Sequence, residues 1–305
     1  MSFDTVPPPA HPAITPELVR ELVAEQHPEF SHLEVGPRFD GWDAAMFRLG
    51  DGLAARLPRT ADAVRFLIAE TTWLPVLSVD WTFPIPRFVA KGLPGGAFPW
   101  PWAIVTWLVG GTADVVPIRA SDAGAIGAAL AQVHQVAPPE APHNVEQSIP
   151  MAARDAKVRE RIGRLAASGG PDGWRLDARA AEEIWERALA APEPGREEFV
   201  WSHADLHGSN VLSVDGAFGG ILDWGSMAAC DPAVDLGFVY SLTSREGVEA
   251  ALAAYAEATG RTGEDFEARV RGIGLAKCLN IALTVRPVAE AMGWRGLAAL
   301  GVASR

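Results

Sequence analysis

The segment from Trp201 to Trp224, WSHADLHGSNVLSVDGAFGGILDW, places carboxylate, amide and imidazole side chains in a stretch that otherwise has the composition of buried strands. Such groups cost free energy when they are buried without partners. Their concentration in one short segment therefore indicates a site of polar chemistry. The side chains that could carry this chemistry are those of Asp205, Asn210 and Asp223.

The dipeptide Asp215-Gly216 predicts a two-residue turn that joins VLSV and AFGGILDW into a β-hairpin. Counting outward from this turn places Asn210 opposite Ile221. Asp223 then lies two residues further along the second strand, on the same face as Asn210 and diagonal to it. Diagonal neighbours are about 7–8 Å apart at the backbone, so their side chains can reach one metal ion.

An amide oxygen and a carboxylate are hard ligands that suit Mg²⁺, whose other positions are normally filled by water and by substrate phosphates. We therefore predict that Asn210 and Asp223 hold Mg²⁺. Asp205 precedes the hairpin in a loop, where its carboxylate can face a substrate hydroxyl.

The elements that position these residues are predicted as strands followed by helices. The strand-like runs HLEVG, DAAMFRLG and LAARLPR come first, and the last two are joined by the turn signal Gly50-Asp51-Gly52. Residues 61–77 have apolar side chains at helical spacing, with Glu70 inside the apolar stripe. Helical periodicity dominates from Ser121 onward. This order predicts an α+β fold with two lobes, residues 1–108 and residues 109–305.

Composition argues against several kinds of partner. The net charge of −12 is spread evenly along the chain, whereas a nucleic-acid partner needs a basic surface; the acidic balance suits a cationic small molecule instead. Cys230 and Cys278 lack the spacing of a disulfide framework or a zinc site. The uncharged residues 92–113 are interrupted by prolines and glycines, which argues against a membrane span. With no secretion signal in the opening residues, we expect a cytoplasmic protein.

The segments HADLHGSN, ILDW and DPAVDLG together resemble the catalytic core of the aminoglycoside phosphotransferase family, small-molecule kinases with a protein-kinase-like fold. HADLHGSN matches the pattern His-x-Asp-x-x-x-x-Asn, and ILDW stands where a kinase has its metal-binding Asp. The resemblance extends from about residue 30 to 285. It implies a two-lobed fold, with an N-terminal lobe of antiparallel sheet and one helix that binds nucleotide, and a larger helical C-terminal lobe that carries the catalytic loop and the substrate site.

The resemblance also implies roles for individual residues. Asp205 is the catalytic base or orients the acceptor hydroxyl, Asn210 and Asp223 are Mg²⁺ ligands, and His203 holds the catalytic loop.

In the N-terminal lobe, a kinase pairs a lysine on the third strand with a glutamate in the following helix. Here the third strand offers Arg56 and no lysine, and Glu70 is the matching glutamate, so the expected pair is Arg56 with Glu70. Trp107 and Val109 lie where kinases hydrogen-bond the purine. The connection between the first two strands, GPRFDGWDAAMF, has no GxGxxG motif, so the extent of the nucleotide loop stays open.

The function that the resemblance implies is transfer of the γ-phosphoryl group of ATP or GTP to a hydroxyl of an antibiotic. Asn210 favours an aminoglycoside O-phosphotransferase that confers resistance, and a macrolide 2'-phosphotransferase or a metabolite kinase is the alternative. A remote alternative is a metal-dependent hydrolase, in which His203, Asp205 and His207 bind zinc. A third is a nucleotide-binding protein without activity. The acceptor, the position phosphorylated, the choice of nucleotide, the oligomeric state and the role of residues 138–198 stay open.

Overall fold

A computed structural model gives the structure of residues 12–305. The first eleven residues, which begin the predicted N-terminal lobe and carry most of the evidence on a secretion signal, lie outside the described residues. Within residues 12–305, no helix is long and apolar enough to cross a membrane. The main elements of the N-terminal part are α1 (Pro16–Gln26), β1 (Val35–Asp40), β2 (Ala44–Leu49), β3 (Leu53–Pro58), α2 (Val64–Leu77), β4 (Phe88–Gly92) and β5 (Trp102–Thr106).

These strands form one antiparallel sheet in the order β1-β2-β3-β5-β4, and a helix packs on each face. Successive side chains of a strand point to opposite faces, so β3 contributes to both. Ala55 and Leu57 pack with α1, whereas Ala54 packs with Leu67 of α2. Arg56 shares the face of Ala54 and is therefore directed toward α2.

Helices dominate the rest of the chain. Every residue of the helix that follows Asp231-Pro232, Ala233–Leu242, is buried. This helix packs against the last two helices of the chain. The main elements after β5 are β6 (Gly111–Thr112), α3 (Gly124–Val133), α4 (Asp155–Ser168), β7 (Arg175–Leu176), α5 (Ala178–Ala190), β8 (Val200–Ser202), β9 (Val211–Val214), β10 (Ala217–Ile221), β11 (Ala228–Cys230), α6 (Ala233–Leu242), α7 (Arg245–Thr259), α8 (Glu264–Ala282), α9 (Pro287–Leu300) and β12 (Ala303–Ser304).

The predicted two-lobed α+β fold is confirmed: an antiparallel sheet is followed by a helical region whose core is formed by α6, α8 and α9. Residues 107–110 connect β5 of the sheet to β6, which pairs with β9. The boundary between residues 108 and 109 stays a prediction. Residues 138–198, whose role the sequence leaves open, contain α4 and α5.

β9 and β10 form the predicted hairpin. Asp215 and Gly216 have φ angles of 51° and 84°, the positive values that a two-residue turn of this type requires. Val214 faces Ala217 across this turn, as the turn chemistry predicts.

Beyond the turn, the predicted register is wrong by one residue. A bulge in β10 places Gly220, with φ of 133°, opposite Leu212. Asn210 is consequently opposite Leu222, whose N–H donates to the Asn210 carbonyl at 2.8 Å, and Ile221 pairs with Val211 instead. The pattern of apolar residues carries no sign of this bulge, which depends on a backbone conformation that only glycine adopts readily.

Candidate active site

The loop between β8 and β9 carries Asp205, and a buried carboxylate holds this loop in place. Asp235 of α6 accepts hydrogen bonds from the backbone N–H groups of His203 at 2.7 Å and Ala204 at 2.9 Å. Ala204 has φ of 65°, a left-handed conformation that is uncommon for a residue with a side chain. Asp235 therefore stabilises the turn that sets the direction of Asp205.

Asp235 is itself held by a polar network that sequence reasoning misses. His134 Nε2 lies 3.2 Å from Asp235 Oδ2, and His134 Nδ1 lies 2.8 Å from the Tyr255 hydroxyl. Burial alone would raise the pKa of Asp235, but its hydrogen bonds with His134 and with the loop lower it. Asp235 therefore stays ionised in the core. His134 and Asp235 are far apart in sequence, so only the fold brings them together.

Asp205, the predicted base, lies at the edge of a cavity. Its side chain is 15% exposed and lines a cavity of about 380 Å³. Burial would raise the pKa of Asp205, but the imidazole of His207, with Nε2 3.6 Å from Asp205 Oδ2, lowers it below its usual range. An ionised carboxylate at neutral pH can accept a hydrogen bond from a hydroxyl and then its proton.

The two predicted metal ligands are near each other along the hairpin, because Asn210 pairs with Leu222, the residue before Asp223. The strand register predicted to bring them together is not the observed one. Asn210 Nδ2 donates to the Asp205 carbonyl at 2.9 Å, which leaves the side-chain oxygen as the atom suited to a cation. Asp223 follows the end of β10 and has φ of 56°, so strand alternation does not set the direction of its side chain. Its side chain is 45% exposed, and a cation could reach it.

Arg56 joins the N-terminal sheet to this region. Its Nη1 lies 2.6 Å from Glu70 Oε2, and its Nη2 lies 2.7 Å from Asp223 Oδ1. Burial raises the pKa of Glu70 to about 7, with a further contribution from Asp223 and partial compensation by Arg56. The structure thus brings together the expected pair of Arg56 with Glu70, and adds a second contact that the sequence does not predict. One guanidinium bridges helix α2 and the predicted metal site.

Asp43 is a further acidic residue of the site that the sequence analysis missed. It lies in the short connection, residues 41–43, between β1 and β2, where the family resemblance implies a nucleotide loop. Burial, followed by repulsion from Asp223 and Asp205, raises the pKa of Asp43 to about 6. Burial is the main cause of this rise, and Arg56 opposes it. The carboxylates of Asp43, Asp205 and Asp223 are nevertheless hard oxygen donors of the kind that a divalent cation binds.

The zinc alternative finds no support in these contacts. His203 Nε2 donates to the Leu222 carbonyl at 2.8 Å, and His203 Nδ1 accepts from Asp205 N at 3.2 Å. Both ring nitrogens are therefore engaged within the loop. In the part of the chain that the structure describes, no group of three His, Cys, Asp or Glu residues is placed to hold a metal ion.

The predicted purine segment has one backbone group already in use. The Trp107 N–H donates to the Gly52 carbonyl at 2.8 Å. The Trp107 ring lies 5.1 Å from the Phe39 ring and 5.0 Å from the Arg48 guanidinium. Val109 is 77% exposed. The roles of Trp107 and Val109 stay predictions.

Comparisons with known proteins identify the family and the fold. The model of a phosphotransferase enzyme family, APH, matches residues 35–271. No curated protein sequence matches the chain significantly.

Solved structures with the same fold include phosphotransferases of two antibiotic classes. The apoenzyme of macrolide 2'-phosphotransferase MphH from Brachybacterium faecium is 22% identical with a TM-score of 0.57, over 93% of this chain and 98% of that one. The GDP complex of aminoglycoside 2'-phosphotransferase-IIIa is 15% identical with a TM-score of 0.55, over 94% and 98%. The ternary complex of streptomycin, ATP and APH(2'')-IIa is 13% identical with a TM-score of 0.54, over 87% and 88%.

Proposed function

This chain belongs to the APH family of phosphotransferase enzymes, and from this we propose that it transfers the γ-phosphoryl group of ATP or GTP to a hydroxyl of a small molecule. The observation that carries the proposal is the bridge made by Arg56. This residue contacts Glu70 at 2.6 Å and Asp223 at 2.7 Å, next to the loop that carries Asp205. A phosphate-binding cation, a predicted metal ligand and a candidate base are thereby gathered in one region.

In the proposed mechanism, Asp205 accepts the hydrogen bond of the acceptor hydroxyl and orients its oxygen toward the γ-phosphorus. Its ionised state at neutral pH also allows it to take the proton as the new O–P bond forms and the bond from the γ-phosphorus to the bridging oxygen breaks. Arg56 stabilises negative charge on the phosphates and holds the Asp223 carboxylate in position. Such chemistry depends mainly on positioning and charge neutralisation.

We propose Asn210 and Asp223 as the residues that hold Mg²⁺. When bound, this ion would neutralise charge on the nucleotide phosphates. The Asn210 oxygen and the exposed Asp223 carboxylate are hard donors, and a cation would reduce the repulsion that Asp223 and Asp205 exert on Asp43.

The proposed donor is ATP or GTP, because the solved relatives include complexes named for GDP and for ATP. An antibiotic acceptor, and with it a role in resistance, rests on the same relatives, which comprise both aminoglycoside and macrolide phosphotransferases. The choice of an aminoglycoside, which Asn210 favours through the family resemblance, is part of the proposal, as are Trp107 and Val109 as purine contacts and a cytoplasmic location.

The test compares two isosteric substitutions. Asp205→Asn removes the candidate base, and Asp51→Asn, in a fully exposed turn, is the matched control. We expect Asp205→Asn to lower kcat by about 10²–10⁴-fold, the usual contribution of a positioned base, while the Kd for the Mg²⁺ nucleotide changes by less than about threefold. The control should match the wild type in both measurements.

Transfer is measured as mass gain on the acceptor across a panel of antibiotics and small alcohols with each nucleotide. Undiminished turnover by Asp205→Asn would remove the proposed base. Nucleotide binding without any transfer across the panel would favour the inactive nucleotide-binding alternative.

A further inference from the structure

The cavity beside Asp205 is formed largely by the region whose role the sequence leaves open. Residues 145–149, the first three turns of α4 and the C-terminal part of α8 surround it, and Asp205 lies at one side. Its volume of about 380 Å³ is within the usual range for a small-molecule site. Under the proposed function, this is the space that the acceptor occupies when its hydroxyl meets Asp205.

The charges that line the cavity are mostly positive, although the whole protein is acidic. The protein carries a net charge of −12, so a basic cavity is a local departure from the overall balance. Two of its three acidic side chains lie close to a basic side chain. Glu160 Oε1 is 3.7 Å from Arg164 Nη1, and Asp205 Oδ2 is 3.6 Å from His207 Nε2. The basic side chains are those of Arg154, Lys157, Arg161, Arg164 and Lys277, and the acidic ones are those of Glu146, Glu160 and Asp205.

The lysines are concentrated here. The sequence contains three lysines, Lys91, Lys157 and Lys277, and two of them line this cavity. Lys157 is exposed on α4, and within the described residues its ammonium forms no ion pair or hydrogen bond. It is therefore free to meet a charged group of a ligand.

Lys277 of α8 projects into the same space. Its ammonium donates to the Gln147 side-chain oxygen and lies 4.6 Å from the centre of the Phe238 ring. Neither contact is with a carboxylate. Burial, followed by repulsion from Arg154, lowers the pKa of Lys277 to about 7, against the opposing effects of Asp205, Cys230 and Glu146. A ligand that carries negative charge would relieve this unfavourable environment.

Arg154 has a similar deficit of negative partners. It is 9% exposed, and its two terminal nitrogens donate to the backbone carbonyls of Glu146 at 3.0 Å and Gln147 at 2.9 Å. Its Nε is buried and makes no hydrogen bond within the described residues. A buried guanidinium held only by neutral carbonyls favours the approach of an anion.

We infer that this cavity selects an acceptor that carries a negatively charged group, a carboxylate or a phosphate or sulfate ester, together with the reacting hydroxyl. Lys277, Arg154 and Lys157 bind the anionic group while Asp205 faces the hydroxyl. A polycationic aminoglycoside would instead bring its ammonium groups against these cations, so the inference replaces the aminoglycoside of the proposed function by an anionic acceptor. The inference rests on the proposed phosphoryl transfer and names the class of acceptor for it.

The test uses three ligands that share a hexose ring and differ in charge: glucuronate, glucose and glucosamine, with kanamycin as a polycation. Binding is measured by ligand-observed NMR on the full-length protein with Mg²⁺ and nucleotide, and transfer is measured by mass. We expect glucuronate to bind about tenfold more tightly than glucose, and glucosamine more weakly than glucose, as one charge-assisted contact implies. Added salt should reduce the preference.

Variants assign the effect to the cavity. Lys277→Met should abolish the preference for glucuronate, Lys277→Arg should restore it, and Lys91→Met, at the lysine outside the cavity, should leave it unchanged. If Lys277→Met fails to fold, the order of affinities of the wild-type protein for glucuronate, glucose and glucosamine decides whether the inference holds. The inference is overturned if glucosamine or kanamycin binds as tightly as glucuronate, or if no acid binds. Loss of nucleotide binding, in contrast, would overturn the proposed function itself.

Discussion

Replacing Arg56 by methionine is expected to lower the free energy of unfolding by about 3–5 kcal/mol, because it leaves a buried carboxylate without its partner. Glu70 is 0% exposed, and 2.6 Å separates its Oε2 from Arg56 Nη1. At that distance, the attraction between two unit charges is about 6 kcal/mol for an effective dielectric constant of 20. Protonation of Glu70 limits the loss, so the net cost is smaller than this attraction.

The cost should depend on pH, and its sign follows from the pKa of Glu70. Burial raises this pKa to about 7 even beside Arg56, so the wild type loses stability as pH rises toward 7 and little beyond it. Without Arg56 the pKa of Glu70 rises further, and the variant continues to lose stability above pH 7 by up to about 1.4 kcal/mol per pH unit. The difference between the two proteins therefore grows from pH 7 to pH 9.

Urea denaturation followed by tryptophan fluorescence at pH 6.5 and 8.5 measures both effects. The control is the double variant Arg56→Met with Glu70→Met, which removes both charges and should unfold within about 1 kcal/mol of the wild type. Both variants should be inactive, because Asp223 loses its contact with Arg56. The reasoning would be refuted if Arg56→Met lowered the free energy of unfolding by less than about 1 kcal/mol at both pH values. It would also be refuted if the double variant were as unstable as Arg56→Met.

Three further changes test other parts of the site. Asp235→Asn should lower kcat by about 10–100-fold without unfolding the protein, because an amide cannot accept both loop N–H hydrogen bonds as a carboxylate does; kinetics and circular dichroism check this. Asp43→Asn should raise Tm by about 2 °C at pH 8 and by about half as much at pH 5, because the raised pKa of about 6 destabilises the fold progressively as pH rises from the ordinary carboxyl range to 6, at a total cost of roughly 1 kcal/mol after solvent screening. The KM for an anionic acceptor should rise about tenfold from pH 6.5 to 8.5 as Lys277, with its pKa lowered to about 7, loses its charge, and Lys277→Met should have a flat profile.

Local sequence chemistry predicts the elements of this fold well. Thr15 before Pro16 predicts the start of α1, and the Thr15 hydroxyl accepts a hydrogen bond from Leu18 N at 3.2 Å. The turn at Asp215-Gly216 has the predicted positive φ angles. These features depend on a few adjacent residues, so the sequence contains the necessary information.

Features that depend on distant parts of the chain could not be predicted in the same way. The bulge at Gly220 places the backbone where a side chain would lie 2.4 Å from the Pro84 carbonyl, a contact between segments far apart in sequence. The pairing of His134 with Asp235 and the approach of Asp43 to Asp223 likewise arise only in the folded protein. The net charge of the chain gives no sign of the basic lining of the cavity, because α4 and α8 bring two of the three lysines together.

The hydrogen bonds that Asp235 accepts from the loop of Asp205 have a consequence for how enzymes of this kind diversify. The carboxylate belongs to the α6 core, whereas the charges of the cavity come mainly from α4, α8 and residues 145–149. Under the proposed function, reaction chemistry and substrate choice therefore belong to separate segments. Exchanging a few side chains on two helices could redirect the enzyme to a new alcohol while the reacting centre keeps its shape.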